Sequence, residues 1–259
     1  MHDSPLPLAR RDQIAHRISR GQPVVSGNLA AEFGVSEDAI RRDLRALAQQ
    51  GLCRRVYGGA LPLSPASSPL VVRRGEDRKQ KHALAEVAAG LIRPGMTLFL
   101  DTGSTVAELA ALLPARPGLR VVTNSLPAAA ALMHRTDLTL VMIGGGVDPV
   151  TGGCADSAAL STLGLYRFDL SFLGACALSL TEGLAGFDLA DVDFKRLLLE
   201  RSAATALMMT NAKLETAAPH AIAGLAAVDD YILAADAPAA ITAALRAAGA
   251  RVHLAPTGA

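Results

Sequence analysis

Four short segments of this 259-residue chain combine the residue types that hold an anion. They are Asp101-Thr102-Gly103-Ser104-Thr105, Thr123-Asn124-Ser125, Gly144-Gly145-Gly146 and Gly174. Backbone N–H groups left unpaired at a helix N-terminus, with glycine allowing close approach, form a phosphate cradle. Thr105 and Glu108 have capping-box spacing, which predicts a helix starting directly behind Gly103 and Ser104. The Gly-Lys-Ser/Thr signature of a P-loop is missing. Positive charge has few sources, since the chain holds four lysines (Lys79, Lys81, Lys195, Lys213) against 21 arginines. Lys213, in Thr210-Asn211-Ala212-Lys213, is the stronger candidate and Lys195, in Asp191-Val192-Asp193-Phe194-Lys195, the weaker. A second reading pairs Asp101 with Lys213, or Asp191 with Lys195, as the acid and base of an enzyme, but no base is clearly placed beside the loops.

Chemistry of another kind lies near the N-terminus. Glu37-Asp38-Ala39-Ile40-Arg41-Arg42-Asp43-Leu44-Arg45-Ala46-Leu47 has helical periodicity. At 100° per residue Ile40, Leu44 and Leu47 fall within about 60° of one another, leaving Asp38, Arg41, Arg42 and Arg45 outward. Ser36 is its expected N-cap. A shorter helix, Asn28 to Phe33 capped by Ser26, precedes it and ends at Gly34, which makes a helix-turn-helix. An apolar rear face, outward arginines and small residues near the N-terminus suit a helix that enters the major groove. Gly51-Leu52-Cys53-Arg54-Arg55-Val56-Tyr57-Gly58-Gly59-Ala60-Leu61 reads as two strands round a Gly-Gly turn, a basic wing for the neighbouring backbone. The alternative is an ordinary solvated helix whose arginines pair with Glu37, Asp38 and Asp43. Residues 6–20 read as a further amphipathic helix stopped by Gly21 and Pro23.

The whole chain hides this division. Its net charge is +1, yet residues 1–82 carry 14 Lys+Arg against 8 Asp+Glu, and the remainder 11 against 16. A basic module joined to an acidic body is the reading. With 51% hydrophobic residues the chain is not disordered, and no apolar window reaches membrane-spanning length. Only 3% aromatics disfavours base stacking on single strands, leaving duplex DNA as the polyanion. Three scattered cysteines and a start without signal-peptide order predict a cytoplasmic protein with unpaired thiols. No metal site, cofactor or membrane partner is expected.

Pro62, Ser64, Pro65, Ala66, Ser67, Ser68 and Pro69 form an aperiodic stretch, expected to be a linker over 62–72. Beyond it, strands (96–100, 119–122, 138–143, 168–173, 205–209, 231–234, 251–254) alternate with helices (84–91, 106–113, 126–133, 191–201, 238–248). That is an α/β pattern with a mostly parallel sheet, whose ligands sit at strand carboxyl ends. The expected domains are 1–61, DNA-binding, and 73–259, sensing.

Gly34-Val35-Ser36-Glu37-Asp38-Ala39-Ile40-Arg41-Arg42-Asp43-Leu44 and Arg55-Val56-Tyr57-Gly58-Gly59-Ala60 closely resemble the winged helix-turn-helix of DeoR-type bacterial transcriptional regulators. The order of elements over 73–259 is similar to the sensor domain of the same family, a relative of ribose-5-phosphate isomerase that receives phosphorylated sugars. The resemblance implies a repressor, a homodimer or homotetramer and no catalytic residues. It implies operator DNA and a sugar phosphate as partners. DNA contacts would fall on Ser26, Ser36, Glu37, Asp38, Arg41, Arg42, Arg45, Arg54, Arg55 and Tyr57. Effector contacts would fall on Asp101 to Thr105, Thr123 to Ser125, Gly144, Gly145, Gly174, Lys195 and Lys213. The chain has Ala39 where the family usually has threonine, Tyr57 for histidine, Asp191 for glutamate, and Cys176-Ala177-Leu178 where a glycine is usual.

Overall fold

The computed structural model describes residues 7–19, 22–64, 66 and 68–257. The expected helix start at Leu6, its stop at Gly21, and linker residues Pro65 and Ser67 lie outside them.

The N-terminal part packs three helices, α1 (Pro7–Ser19), α2 (Ser26–Phe33) and α3 (Glu37–Gln49), on a small antiparallel sheet. Its strands β1 (Val24–Val25), β2 (Cys53–Val56) and β3 (Gly59–Pro62) lie in the order β1-β3-β2. Ile14, Ile18, Leu29, Phe33, Ile40, Leu44 and Leu47 form the core, so the apolar stripe of α3 faces inward as expected. Gly34 takes the left-handed conformation (φ 63°) that ends α2, and the Ser36 side chain caps α3 by accepting from Ala39 N at 3.3 Å. Ser26 differs from expectation. Val25 holds the N-cap position, and Ser26 is the buried first residue of α2, its N–H bonded to Gly58 O at 2.7 Å. Gly59 is required by packing: a Cβ there would stand 2.0 Å from Val24 O.

Asp43 does not pair with its own helix. It accepts from Arg10 Nε at 2.7 Å and Arg11 at 3.3 Å, tying α1 to the rear of α3. Both Arg10 and Asp43 are buried.

The rest of the chain is a seven-stranded sheet in which every pair of neighbours is parallel. In chain order its strands are β4 (Thr97–Leu100), β5 (Arg120–Thr123), β6 (Thr139–Met142), β9 (Leu170–Leu173), β12 (Thr205–Met208), β14 (Asp230–Ala234) and β15 (Arg251–Ala255). Strands buried on both faces need apolar runs, and β9 and β12 are buried throughout. α5 (Arg78–Ala89), α6 (Ser104–Ala111) and α7 (Leu126–Leu132) contribute to the core on one face. α8 (Ser157–Leu163), α9 (Leu189–Arg201) and α10 (Ala239–Ala247) contribute to the other. Many element ends fall a residue or more from their sequence positions, as helix and strand termini fray, while the C-terminal ends of β4, α9 and β14 coincide with them. Among the described residues no helix is long and apolar enough to cross a membrane.

Three features escaped the sequence reading. A hairpin of two-residue strands, β7 (Val147–Asp148) and β8 (Gly153–Cys154), lies after β6. A small antiparallel sheet, β10 (Ala177–Ser179), β11 (Gly183–Gly186) and β13 (His220–Ala223), stands beside the main one. The Pro/Ser segment is not a free tether: Ser64 N donates to Ala217 O at 3.1 Å, and Leu70–Arg73 forms a helical turn, α4, with Leu70 and Arg73 buried.

Asp43→Ala strands the buried Arg10 guanidinium and is expected to destabilise the N-terminal part by roughly 3–5 kcal/mol. Circular dichroism should show this part melting before the sheet; a change below about 1 kcal/mol would mean that water replaces Asp43.

Candidate functional site

The sheet order β15-β14-β12-β9-β4-β5-β6 changes direction at β4 and β9. The chain runs outward from β4 to β6, then returns to start β9 on the other side of β4. The connections therefore diverge there, leaving a crevice at the strand ends. Asp101 follows β4 and Gly174 follows β9, and Gly174 N donates to Asp101 Oδ2 at 2.8 Å. A Cβ on Gly174 would lie 2.1 Å from Thr102 O, so this approach needs glycine.

Lys195 enters from α9. Asp188 caps that helix, accepting from Asp191 N at 2.9 Å, which sets Asp191 one turn before Lys195. The Lys195 ammonium hydrogen-bonds Asp191, lies 3.2 Å from Asp101 Oδ2 and donates to Thr102 Oγ1 at 3.3 Å. Burial opposes its charge, but the two carboxylates outweigh that and hold its pKa above the ordinary lysine value. Burial, with Asp191 nearby, pushes the Asp101 carboxyl up against the pull of Lys195 and two backbone N–H groups.

Above this group lies a cavity of about 30 Å³, room for one or two waters. Its floor is the start of α6, where Gly103 (φ 141°) is the N-cap. No side chain caps that helix: Glu108 instead meets His82 Nδ1 at 2.9 Å, so the expected capping box is not formed. The Ser104 hydroxyl is buried in the cavity wall with no hydrogen-bond partner among the described residues. Lys213 donates to Ala175 O at 3.1 Å. Burial first, then Arg73, Lys81 and Lys195 nearby, brings its pKa down to about 8. Arg73 donates to Ser68 O at 2.7 Å and Val150 O at 3.5 Å, and burial lowers its pKa. Lys195 is neutralised, whereas Arg73 and Lys213 are bonded to carbonyls and form no ion pair among the described residues. The cavity thus holds two cations outside ion pairs, an unpaired hydroxyl and a helix N-terminus, features that suit a phosphate.

Of the sequence candidates, Thr102, Gly103, Ser104, Thr105, Gly174, Lys195 and Lys213 line this cavity, with Asp101 beneath them. Thr123, Asn124, Ser125, Gly144 and Gly145 do not. Thr123 Oγ1 bonds Leu100 O, Asn124 Nδ2 bonds Cys154 O, and Ser125 caps α7. Gly146 N donates to Asp156, whose carboxylate fills the space a Gly145 Cβ would need. The β7–β8 hairpin packs on these strand ends, Cys154 O taking the Asn124 donor and Gly152 O the Leu126 N–H. Arg73 and Thr151 line the cavity but were not singled out, and Cys176, noted where a glycine is usual, lines it too. Arg73 sat in a basic run with no pattern, and two-residue strands leave no periodicity to mark Thr151.

On the N-terminal part Arg41, Arg42, Arg45, Arg55 and Tyr57 are exposed together with Glu37 and Asp38. Arg41 bonds Glu37 at 2.8 Å and Asp38 at 3.2 Å, exposed pairs of little strength that a DNA phosphate can displace. Arg45 and Arg55 form no ion pair among the described residues. Ser26 is buried, and Arg54 faces Glu182 of the body at 2.8 Å.

Two family models match: a DeoR-like helix-turn-helix domain over residues 10–66 and the DeoR C terminal sensor domain over 76–234. The chain is 33% identical over 205 residues to the glycerol-3-phosphate regulon repressor of Escherichia coli (strain K12), covering 79% of this chain and 81% of that one. It is 31% identical over 250 residues to a putative aga operon transcriptional repressor of Escherichia coli O157:H7, covering 95% and 93%. A lactose phosphotransferase system repressor of Lactococcus lactis is 32% identical over 175 residues, covering 66% and 69%. Among solved structures, ribose 5-phosphate isomerase A of Methanocaldococcus jannaschii superposes with a TM-score of 0.40 at 20% identity, over 54% of this chain and 55% of that one.

Lys195→Met leaves two buried carboxylates facing each other and is expected to cost about 3–5 kcal/mol. Lowering the pH toward 5 should recover part of this by protonating one carboxyl, measured as a rise in Tm absent from the wild type. An unchanged Tm at neutral pH would show that the lysine does not hold the two carboxylates.

Proposed function

This chain belongs to the DeoR family of DNA-binding transcriptional regulators, and we propose that it represses a sugar-metabolism operon under the control of a phosphorylated sugar. It is not an enzyme, as its relatives are transcriptional repressors. We assign residues 1–61 to operator binding, 62–72 to the connection and 73–259 to sensing, in a cytoplasmic homodimer or homotetramer. One head offers too few phosphate contacts for specific affinity, and twofold operators need paired heads.

The observation that carries the effector reading is the Ser104 hydroxyl at the N-terminus of α6, buried without a partner among the described residues in a cavity that Lys213 and Arg73 also line. A phosphate there accepts from the N–H groups of the Gly103–Thr105 turn and from Ser104, while Lys213 and Arg73 offset its charge. Lys195 is held by Asp101 and Asp191 and acts by fixing the turn and orienting Thr102. The cavity, about 30 Å³, matches the phosphate end of such a ligand rather than the whole sugar. Its walls include Arg73 on α4, Thr151 on the β7–β8 hairpin and Cys176 before β10. The ligand shifts operator affinity only by its preference between arrangements of these walls and the head. At the DNA, Arg41, Arg42 and Arg45 reach the major groove and Arg55 and Tyr57 the adjoining backbone.

Thermal shift across phosphorylated sugars, their unphosphorylated counterparts and inorganic phosphate tests the effector class. A true effector at about 100 times its Kd stabilises the fold by roughly 2.7 kcal/mol; equal shifts for phosphorylated and free sugars would contradict the phosphate site. Binding should weaken as the pH rises through about 8, where Lys213 loses its proton. Lys213→Met should remove that limb and lower affinity about tenfold or more; calorimetry checks it, and an unaltered pH profile would take Lys213 out of the site. Arg41→Ala with Arg42→Ala should abolish operator binding in gel-shift assays while leaving the thermal shift intact; retained binding would refute the role of α3.

A further inference from the structure

Side chains alternate across β2, and the two wing arginines part accordingly. Arg55 is exposed, whereas Arg54 turns to the body, where its Nε donates to Glu182 Oε2 at 2.8 Å and its guanidinium to Pro219 O at 3.2 Å. Both partners flank strands of the small sheet: Glu182 lies in the turn joining β10 to β11 and Pro219 immediately before β13. Glu182 is itself held, its N–H donating to Ser179 Oγ at 3.0 Å. The strand that leaves the wing runs along the same sheet. Ala217 N donates to Pro62 O at 2.9 Å, Ser64 N returns a bond to Ala217 O at 3.1 Å, and the Ser64 hydroxyl bonds Cys176 O. The wing is thus seated on the sensor at two places, one ionic and one along the backbone.

We propose that Arg54 and Glu182 form a clasp that positions the wing on the sensor body, so that Arg54 is a positioning residue rather than a DNA-phosphate contact, and that the clasp stays closed on the operator. The geometry favours this over a phosphate contact because Arg54 lies on the face of β2 opposite Arg55, with two acceptors already in place. The clasp rests on the DNA-binding role proposed above, but its integrity is measurable without DNA.

Arg54→Gln, Glu182→Gln and the charge swap Arg54→Glu with Glu182→Arg are compared with wild type. Without DNA, hydrogen exchange at the Ser64 and Ala217 amides should quicken several-fold in each single variant and return toward wild type in the swap; unchanged exchange in both single variants would overturn the clasp. With a duplex selected by the wild type from random sequence, both single variants should bind about two- to fivefold more weakly with the salt dependence unaltered, and the swap should recover. A phosphate contact would instead flatten the slope of log affinity against log salt by about 0.9 per head in Arg54→Gln, with the swap failing to rescue. Glu182→Gln binding DNA more tightly than wild type would make Glu182 a competitor of DNA and would also overturn the proposal. If the wild type selects no duplex, the DNA-binding reading fails and the exchange measurement still decides the clasp.

Discussion

Lys195, buried between Asp101 and Asp191, is the contact on which the sensor depends. Removing an ammonium and two carboxylates from water costs several kcal/mol per ion, so such a group rarely raises stability over an apolar filling. What it supplies is position. Asp101 ends β4, Asp191 and Lys195 stand one turn apart on α9, and Gly174 at the end of β9 donates to the same Asp101 carboxylate. Three elements from both sides of the switch in strand order are therefore fixed to one point. The turn that begins α6 springs from that point with its N–H groups aimed into the crevice.

This arrangement separates two tasks that sequence reading had merged. Lys195, the weaker of the two lysine candidates, is held between two carboxylates, while Lys213, the stronger, and Arg73 form no ion pair among the described residues. Both are anchored through carbonyl oxygens, Ala175 and Ser68 respectively, so their positions are set by the backbone. The wall of the cavity includes segments of the connection and of the small sheet's approach. α4 and Cys176 are such segments, and the connection from the wing touches both. A short run of backbone contacts thus joins the cavity wall to the wing.

The fold was legible where periodicity was strong. The alternating apolar runs gave the seven parallel strands, and the stripe of Ile40, Leu44 and Leu47 gave the face of α3. The small sheet was missed because its strands are three or four residues long and alanine- and glycine-rich, and the β7–β8 hairpin because its strands have two residues each. The anion loop at Asp101–Thr105 could be read from residue type, since glycine and hydroxyls behind a strand have one chief use. Thr123–Ser125 and Gly144–Gly145 carried the same signal, but Thr123 bonds Leu100 O, Asn124 bonds Cys154 O, Ser125 caps α7 and the Asp156 carboxylate packs on Gly145, tertiary facts without local trace. The capping box failed for a similar reason: Glu108 found His82, distant in sequence, rather than Thr105. Asp43, an expected partner for the arginines of α3, is buried on the other side of that helix against α1.

The division of charge acquires a physical meaning in this setting. Outward arginines on α3 and the wing give the head its attraction to a polyanion, whereas the acidic body concentrates its few exposed-to-ligand cations inside one cavity, where low dielectric strengthens them. The most direct test of the central claim is a crystal structure with a bound phosphorylated sugar. The account predicts the phosphate within hydrogen-bond distance, about 2.7–3.2 Å, of the Ser104 hydroxyl, the N–H groups of the Gly103–Thr105 turn and the Lys213 ammonium. A phosphate seated elsewhere, with Ser104 still unpartnered, would contradict it.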